Sequence, residues 1–218
     1  VNATLRVQCA DMNDPVMHSD SSQERNSSSF TTPTQTSRFD SSLIIYTVLA
    51  IGAALCIRYF IAAPYIVQGA SMEPTFYDYH YLIIDKVSYR VSEPERGDVI
   101  VLDLPQDTSR ALIKRVIGLP GETVSIENSR VIIKNTENPE GFVLEEAYIA
   151  TTSIGGPTGM TVTLGEDQFF VLGDNRRVSS DSRSWGMLPR EDIEGRVLVR
   201  LYPITQITLF PGAMRFQE

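Results

Sequence analysis

Ser71 is the first residue of this sequence whose surroundings point to chemistry. It lies in the run GASMEPT, residues 69–75, among small and turn-forming residues. A serine hydroxyl becomes a useful nucleophile only when a neighbouring base takes its proton. Of the two histidines, His18 lies in a polar stretch, and His80 reads equally well as a polar residue at a strand entry. A lysine is therefore the other base to consider.

Lys114 has the most apolar surroundings of the three lysines. It lies in the run ALIKRVIG, and in a strand Leu112 and Val116 would share its face. Burial disfavours the charged form of a lysine and lowers its pKa, which makes the amine a base. Lys86 and Lys134 have poorer apolar surroundings. Lys114 is thus the candidate general base, against the alternative that it only faces solvent, as strand lysines usually do.

A predominantly β domain must position these residues. After Gln68 the chain shows short aliphatic runs separated by turn residues, without a long amphipathic helix and without a repeat. We predict an antiparallel β-sheet domain over residues 64–218, in which residues 135–159, marked by Gly and Pro, are a peripheral excursion. Asn128 and Ser129 are the predicted turn of a hairpin. The predicted strands are 81–87, 98–104, 111–118, 123–127, 130–134, 168–174 and 196–204.

Residues 43–63 are the most apolar stretch and contain one charge, Arg58. The stretch has about the 20 residues that a membrane helix needs, and Arg58 near its end can reach the headgroups. Pro64 is the predicted end of the helix. The segment is predicted to be a transmembrane helix, and the alternative is a buried helix of a soluble protein. Three tyrosines are spaced like interfacial aromatics: Tyr46, Tyr59 and Tyr65.

Composition limits the remaining functions. Residues 1–42 are rich in Ser, Thr, Asn and Gln, so we predict a disordered polar tail. The net charge of -8 argues against a nucleic-acid binder, which needs a basic face. Cys9 and Cys56 fit neither a disulfide nor a metal-binding spacing. This pair therefore predicts no metal site.

Four sequence boxes resemble one known family. GASMEPT, RGDVIVL, LIKRVIGLPGE and GDNRRVSSDSRSWG occur in this order, behind an apolar segment. The stretch from about Leu43 to about Pro203 is similar to the type I signal peptidases. The resemblance implies a serine endopeptidase with a Ser/Lys dyad, which removes signal peptides from exported preproteins after small residues in an A-x-A-like context. This mechanism needs no metal and no cofactor.

The resemblance also assigns roles to individual residues. It implies Ser71 as the nucleophile and Lys114 as the general base. In the family, the serine at the position of Ser179 hydrogen-bonds the catalytic lysine, and the residues matching Asp181 and Arg183 form a supporting ion pair. The further supporting residues that match the last box are Asp174 and Arg176.

Two departures from the family pattern concern local contacts. Some members have an oxyanion-binding serine two residues before the nucleophile, where this chain has Gly69. The oxyanion hole would then depend on backbone N–H groups, chiefly that of Ser71. Arg177 and Val178 stand where an acid and an asparagine are common in the family.

The resemblance implies a location and partners as well. The catalytic domain would lie on the outer face of a plasma membrane, or of a thylakoid-type membrane, with the tail in the cytoplasm. The partners would be membrane lipid and secretory preproteins emerging from the export translocon, with no nucleic acid. The aromatic run FYDYHY, residues 76–81, then has two interpretations, a membrane-interface contact or core packing at a strand start.

Two other functions compete with this one. Self-cleaving repressor-type proteases share the Ser/Lys chemistry, but they need a DNA-binding domain where this chain has a polar tail and an apolar segment. A membrane-anchored β domain that binds partners without cleaving them would not need Ser71, Lys114 and Ser179. Turnover of a labelled preprotein separates the peptidase from the binding module.

Overall fold

The computed structural model describes residues 41–105 and 107–216, without the side chains of Tyr59, Phe60 and Thr108. The predicted polar tail, with His18 and Cys9, lies outside these residues except for its last two positions. The described part is mainly antiparallel β-sheet, so the predicted fold class is confirmed at this level. The strands are β1 (Ala62–Ile66), β2 (Tyr81–Asp85), β3 (Val99–Leu104), β4 (Asp107–Gly118), β5 (Thr123–Glu127), β6 (Arg130–Lys134), β7 (Phe142–Val143), β8 (Met160–Thr163), β9 (Gln168–Leu172), β10 (Leu188–Pro189), β11 (Ile193–Tyr202) and β12 (Thr208–Leu209).

The strands form two sheets. The larger has the order β1-β2-β11-β3-β4-β9-β10, with β12 paired to β11, and the smaller has the order β7-β6-β5-β8. The β5–β6 hairpin has the predicted bounds, because Asn128 (φ 49°) and Ser129 (φ 64°) adopt the left-handed conformation that a tight hairpin turn needs. Its inner face packs Val124, Val131 and Ile133 into the core of the smaller sheet.

β4 is the strand on which the fold depends most. It is longer than predicted and begins at Asp107. Lys114 to Ile117 are all buried. Side chains alternate between the two faces of β4, and Val116 and Ile117 pack into separate apolar clusters, so both faces of the strand are covered there. β3 pairs along β4 as far as Arg115, whereas β9 pairs only with its end, from Arg115 to Gly118. Within the described residues, the other edge of β4 is therefore unpaired up to Lys114.

The apolar segment differs from the prediction at its C-terminal end. Helix α1 (Ser41–Cys56) runs into a π-helical turn, Ile57–Ile61, and β1 follows at once. Pro64 does not end a helix, because it lies inside β1 opposite Ile83. The other edge of β1 is unpaired within the described residues, where a proline costs no ladder hydrogen bond.

No helix in the described part of the chain is long enough and apolar enough to cross a bilayer.

The predicted excursion, residues 135–159, is less peripheral than expected. It carries β7, and Leu144 and Ser153 are buried. Both terminal nitrogens of Arg176 contact the Glu146 carboxylate. This buried pair attaches the excursion to the loop after β9. Short helix α2 (Ser182–Trp185) follows that loop and begins with a capping box made by Asp181 and Ser184.

Candidate active site

Ser71 lies in the loop between β1 and β2, residues 67–80, which we call the Ser71 turn. Its ends are closed by backbone hydrogen bonds, Val67 N–H to His80 O at 2.9 Å and Tyr79 N–H to Val67 O at 2.9 Å. Met72 and Phe76 anchor the turn, because both side chains are fully buried and the Phe76 N–H donates to Met72 O. These two buried side chains therefore fix the turn and hold its serine at the rim of the core.

Gly69 has a conformation that other residues adopt only with strain. Its φ is 89°, and its N–H donates to Asp78 Oδ1 at 2.9 Å. The Gly69 N–H is therefore already bonded. By contrast, the Ser71 N–H donates to no acceptor within the described residues, so it is available to a ligand. This availability fits the predicted dependence of the oxyanion hole on the backbone.

Lys114 meets Ser71 from β4. Its Nζ lies 3.0 Å from Ser71 Oγ and donates to Ile113 O at 2.8 Å. The side chain is 1% exposed. Desolvation by burial lowers the pKa of Lys114 to about 8, while the charges of Asp181 and Asp174 oppose the shift. A neutral amine at hydrogen-bond distance from a serine hydroxyl can take its proton.

Asp174 links the Ser71 turn to β4 through a buried ion pair. Arg115 Nε and Nη2 donate to its two oxygens at 2.8 and 2.7 Å, and the Thr75 hydroxyl donates to Oδ2 at 2.5 Å. The Arg115 guanidinium also lies 4.0 Å from the centre of the Tyr148 ring. Bidentate pairing of this kind fixes geometry as well as charge. The residue after Lys114 and a residue of the Ser71 turn thus share one carboxylate.

The loop after β9 contacts Ser71 directly. The Asn175 N–H donates to Ser71 O at 3.0 Å, and a side chain on Gly173 would lie 2.5 Å from the same oxygen. Asp181 accepts from Gly173 N–H at 3.1 Å and pairs with Arg183 Nε at 2.8 Å. Asp181 and Arg183 therefore form the ion pair that the resemblance implies, and this pair supports the loop.

Ser179 lies next to the dyad but does not make its predicted contact. Its Oγ is buried and has no hydrogen-bond partner in the described part of the chain. Lys114 instead contacts Ser71 and Ile113 O. A Cβ on Gly173 would collide with the Ser179 side chain, so Gly173 is what allows Ser179 to pack this close.

The other candidate residues lie elsewhere. Arg176 donates from Nε to Gly173 O at 3.1 Å and pairs with Glu146, so it supports the loop after β9. No described contact joins His80 to Ser71; its ring lies edge-on to Phe76 and Tyr77, and desolvation lowers its pKa. Lys86 pairs with Glu194 at 2.5 Å, and Lys134 is exposed.

A groove runs past Ser71 and Lys114 between the unpaired edges of β1 and β4. Its walls are mostly apolar and include Tyr65, Leu82, Val101 and Ile113. In the described residues, no three His, Cys, Asp or Glu side chains come together as a metal site would require. The unpaired strand edges and the apolar walls allow the groove to hold an extended chain with small side chains directed at the walls.

Sequence reasoning missed two residues of this arrangement, Arg115 and Thr75. Both act through Asp174, which is 59 residues from Arg115 and 99 residues from Thr75. One signal was present, because Arg115 is a second basic residue directly after Lys114 in an apolar run, and a buried charge requires a partner. Thr75 carried no such signal.

Comparison with known proteins gives one family. The model of the family described as signal peptidase, peptidase S26, matches residues 41–202. A probable signal peptidase I-2 of Synechocystis sp. is 39% identical over 176 residues, which cover 77% of this chain and 74% of that protein. A signal peptidase I of Leptolyngbya laminosa is 41% identical over 168 residues, which cover 73% and 78%.

A solved structure is similar too. The crystal structure of a signal peptidase I from Enterococcus faecalis aligns with a TM-score of 0.41 at 31% identity, over 49% of this chain and 98% of that chain. The family match and the extent of identity to the two cyanobacterial proteins lead to one conclusion: the chain belongs to the type I signal peptidases of peptidase family S26.

Proposed function

We propose that Ser71 is the nucleophile and Lys114 the general base with which this signal peptidase cleaves its substrates. Membership of the family makes the protein a serine endopeptidase that removes signal peptides from preproteins. The observation that carries the residue assignment is the 3.0 Å separation of Lys114 Nζ and Ser71 Oγ, together with the burial of the lysine. Burial keeps a useful fraction of the amine neutral near pH 8.

The reaction has two steps. Neutral Lys114 takes the proton of the Ser71 hydroxyl while Oγ attacks the scissile carbonyl, and the Ser71 N–H stabilises the oxyanion. The ammonium of Lys114 then donates a proton to the leaving amine, and the acyl-enzyme forms. In the second step Lys114 takes a proton from water, and the resulting hydroxide attacks the ester. The Lys114 ammonium then returns that proton to Ser71 Oγ as the ester bond breaks, and the signal peptide leaves with a carboxylic acid group that ionises in solvent.

The substrate binds in the groove as an added strand. The free edges of β1 and β4 offer backbone groups to an extended chain on both sides. The apolar walls leave shallow space, which favours small side chains at the first and third positions before the cut. We propose an A-x-A-like preference on this basis.

The helical segment before β1 is proposed as the anchor in a membrane. None of the α1 side chains is buried, and the helix contains no charged residue. In water such a surface is unfavourable, whereas lipid accommodates it. The catalytic sheets would then lie at the outer face of a plasma or thylakoid-type membrane, where preproteins emerge from the export translocon.

Two variants test the dyad in the full chain. Ser71→Ala and Lys114→Ala should each lower cleavage of a labelled preprotein by at least about 10³-fold, since the base and the nucleophile act as a unit. Both proteins should keep the wild-type circular dichroism spectrum. Lys134→Ala, at an exposed lysine on β6, is the matched control and should cleave at the wild-type rate. Cleavage by Lys114→Ala within tenfold of wild type would refute the assignment.

A further inference from the structure

The chain after β11 contacts two residues that lie close to Ser71 and Lys114 in the sequence, Thr75 and Arg115. Residues 203–216, which we call the C-terminal strap, lie beyond the segment that the family model matches. The Met214 N–H donates to Gly97 O at 3.4 Å, and the Phe216 ring lies edge-on to Tyr148. These contacts hold the strap against the two segments that flank Arg115.

Gly212 is the point at which the strap meets the dyad's supports. Its carbonyl oxygen accepts a hydrogen bond from Arg115 Nη1. A Cβ on Gly212 would collide with Thr75 Cγ2 and would lie 3.3 Å from Phe76 Cε2. At Gly212 the strap therefore packs closely against Thr75 of the Ser71 turn and also accepts a hydrogen bond from Arg115.

Arg200 makes the second attachment between the strap and the Ser71 turn. Its Nη1 donates to Thr75 O at 3.0 Å, and its Nε donates to Gln206 O at 3.0 Å. The guanidinium also lies 5.7 Å from the centre of the Phe76 ring. One side chain thus holds a carbonyl of the turn and a carbonyl of the strap.

We propose that the C-terminal strap is a positioning element of the active site. Gly212 of the strap and Arg200 of β11, which binds the strap, set the distance between Ser71 and Lys114. Thr75 is four residues after the nucleophile and Arg115 is one residue after the base. Gly212 contacts both, and Asp174 bonds both. A shift of the strap moves the turn relative to β4. Because proton transfer requires close contact, such a shift lowers kcat more than it changes KM.

Gly212→Ala is the decisive variant, because the new methyl group displaces Thr75. We expect kcat for preprotein cleavage to fall at least tenfold with KM within twofold of wild type. Gly159→Ala is the matched control: Gly159 has a φ of 78° against 75° at Gly212, but no atom lies within 4 Å of its added Cβ. This control carries the same backbone strain without the collision, and its kcat should stay within twofold of wild type.

A second substitution tests the mechanism of the loss. Thr75→Ser removes the methyl group that the Cβ introduced by Gly212→Ala would strike, and it keeps the hydroxyl that donates to Asp174. Gly212→Ala should therefore lower kcat much less when Thr75 is replaced by serine. The kcat of the double variant Gly212→Ala/Thr75→Ser should lie close to that of Thr75→Ser alone. A kcat for Gly212→Ala equal to that of Gly159→Ala, a loss confined to KM, or no recovery in the double variant would overturn the proposal.

If Gly212→Ala does not fold, Arg200→Met takes its place. This change keeps the aliphatic stem of Arg200 and removes both hydrogen bonds, and kcat should fall at least fivefold at unchanged KM. Arg130→Met, at an exposed arginine of the smaller sheet, is its control. A kcat for Arg200→Met within twofold of the control would contradict the proposal. The inference rests on the proposed dyad, whose failure would show separately as activity of Ser71→Ala or Lys114→Ala.

Discussion

Lys114 combines two properties that rarely occur together, nearly complete burial and a long polar side chain. Its amine has only Ser71 Oγ and Ile113 O as hydrogen-bond partners among the described residues, and neither carries a charge. Asp174 and Asp181 favour the ammonium from a distance, but each is bonded to an arginine of its own. The balance leaves the amine able to change protonation within the working pH range of a cell.

The pH dependence of cleavage follows from this balance. The pKa of Lys114 is lowered to about 8, so the neutral form predominates above that pH and the ammonium predominates below it. We expect kcat to fall roughly tenfold for each pH unit below 8 and to level off above it. A kcat profile from pH 5 to pH 10 checks this result. A rate that stays flat down to about pH 4, near the pKa of an unperturbed carboxylate, would indicate another base.

The lowered pKa of Lys114 favours catalysis but reduces the folding stability of the protein. The folded-state pKa of about 8 lies below the unfolded value of 10.5, so the unfolded chain binds the proton more tightly. Stability is therefore reduced at every pH below 8 and rises as the pH increases from 8 to 10.5. Lys114→Met should be inactive but more stable at pH 6, by on the order of 3 kcal/mol. Urea unfolding at pH 6 and pH 10 measures the difference, which should shrink at the higher pH.

At the scale of elements, local signals predicted some strands and long-range contacts determined the others. The β5–β6 hairpin was predicted correctly because its aliphatic runs and its two-residue turn are adjacent in sequence. β1 was missed, since its residues continue an apolar run and include Pro64, and only pairing with β2 makes them a strand. β12 has two residues and exists through its pairing with β11.

The site shows the same division. The sequence could name Ser71 and Lys114 as candidates because each has a distinctive local setting and a matching sequence box, and the structure brings the two side chains together. The Gly212 contact was not, because it joins segments 97 residues apart and depends on where the chain goes after β11. The Asp78 contact was equally hidden, since an aspartate in a polar loop has no local pattern that names its partner.

Asp78 offers a test of how the Ser71 turn is held. Its Oδ1 accepts the Gly69 N–H, the bond that orients the backbone two residues before Ser71. Asp78→Ala should lower kcat/KM several-fold and lower the free energy of unfolding by about 1 kcal/mol, because that N–H loses its partner. Asp78→Asn retains an oxygen acceptor and should restore most of both losses. Equal kcat/KM values for the two variants would show that this hydrogen bond does not position the nucleophile.

For the whole molecule, the apolar residues that remain exposed extend beyond α1. Ile66 of β1 and Tyr202 of β11 are exposed and lie in one row with the half-buried Tyr81 of β2, because Tyr81 is the register partner of both others. Tyr77 and Tyr79 are exposed in the Ser71 turn, while Phe76 is buried, so the aromatic run contributes to both surface and core. The two exposed members of this row are apolar surface that can contact lipid.

The proposed anchoring role of α1 can be tested in the full chain. Wild-type protein should float with vesicles of phosphatidylcholine and phosphatidylglycerol in a density gradient. Ile45→Asp/Leu49→Asp should remain at the bottom, since each aspartate near the centre of a membrane helix costs about 2.5–3.5 kcal/mol. The matched control is Val91→Asp/Val143→Asp, which places the same charges at exposed valines outside α1 and should float.

Cleavage in solution completes this experiment. Because Ser71 lies in the Ser71 turn and Lys114 on β4, both outside α1, Ile45→Asp/Leu49→Asp should cleave a short soluble peptide at the wild-type rate and lose activity only toward preprotein held in vesicles. If the α1 variant floats like the wild type, a surface outside α1 is sufficient for binding, and α1 is not the anchor. If its peptide cleavage falls as well, α1 contributes to the fold of the catalytic sheets. Vesicle-specific loss is the outcome expected of an anchor that brings Ser71 to its substrate at the bilayer surface.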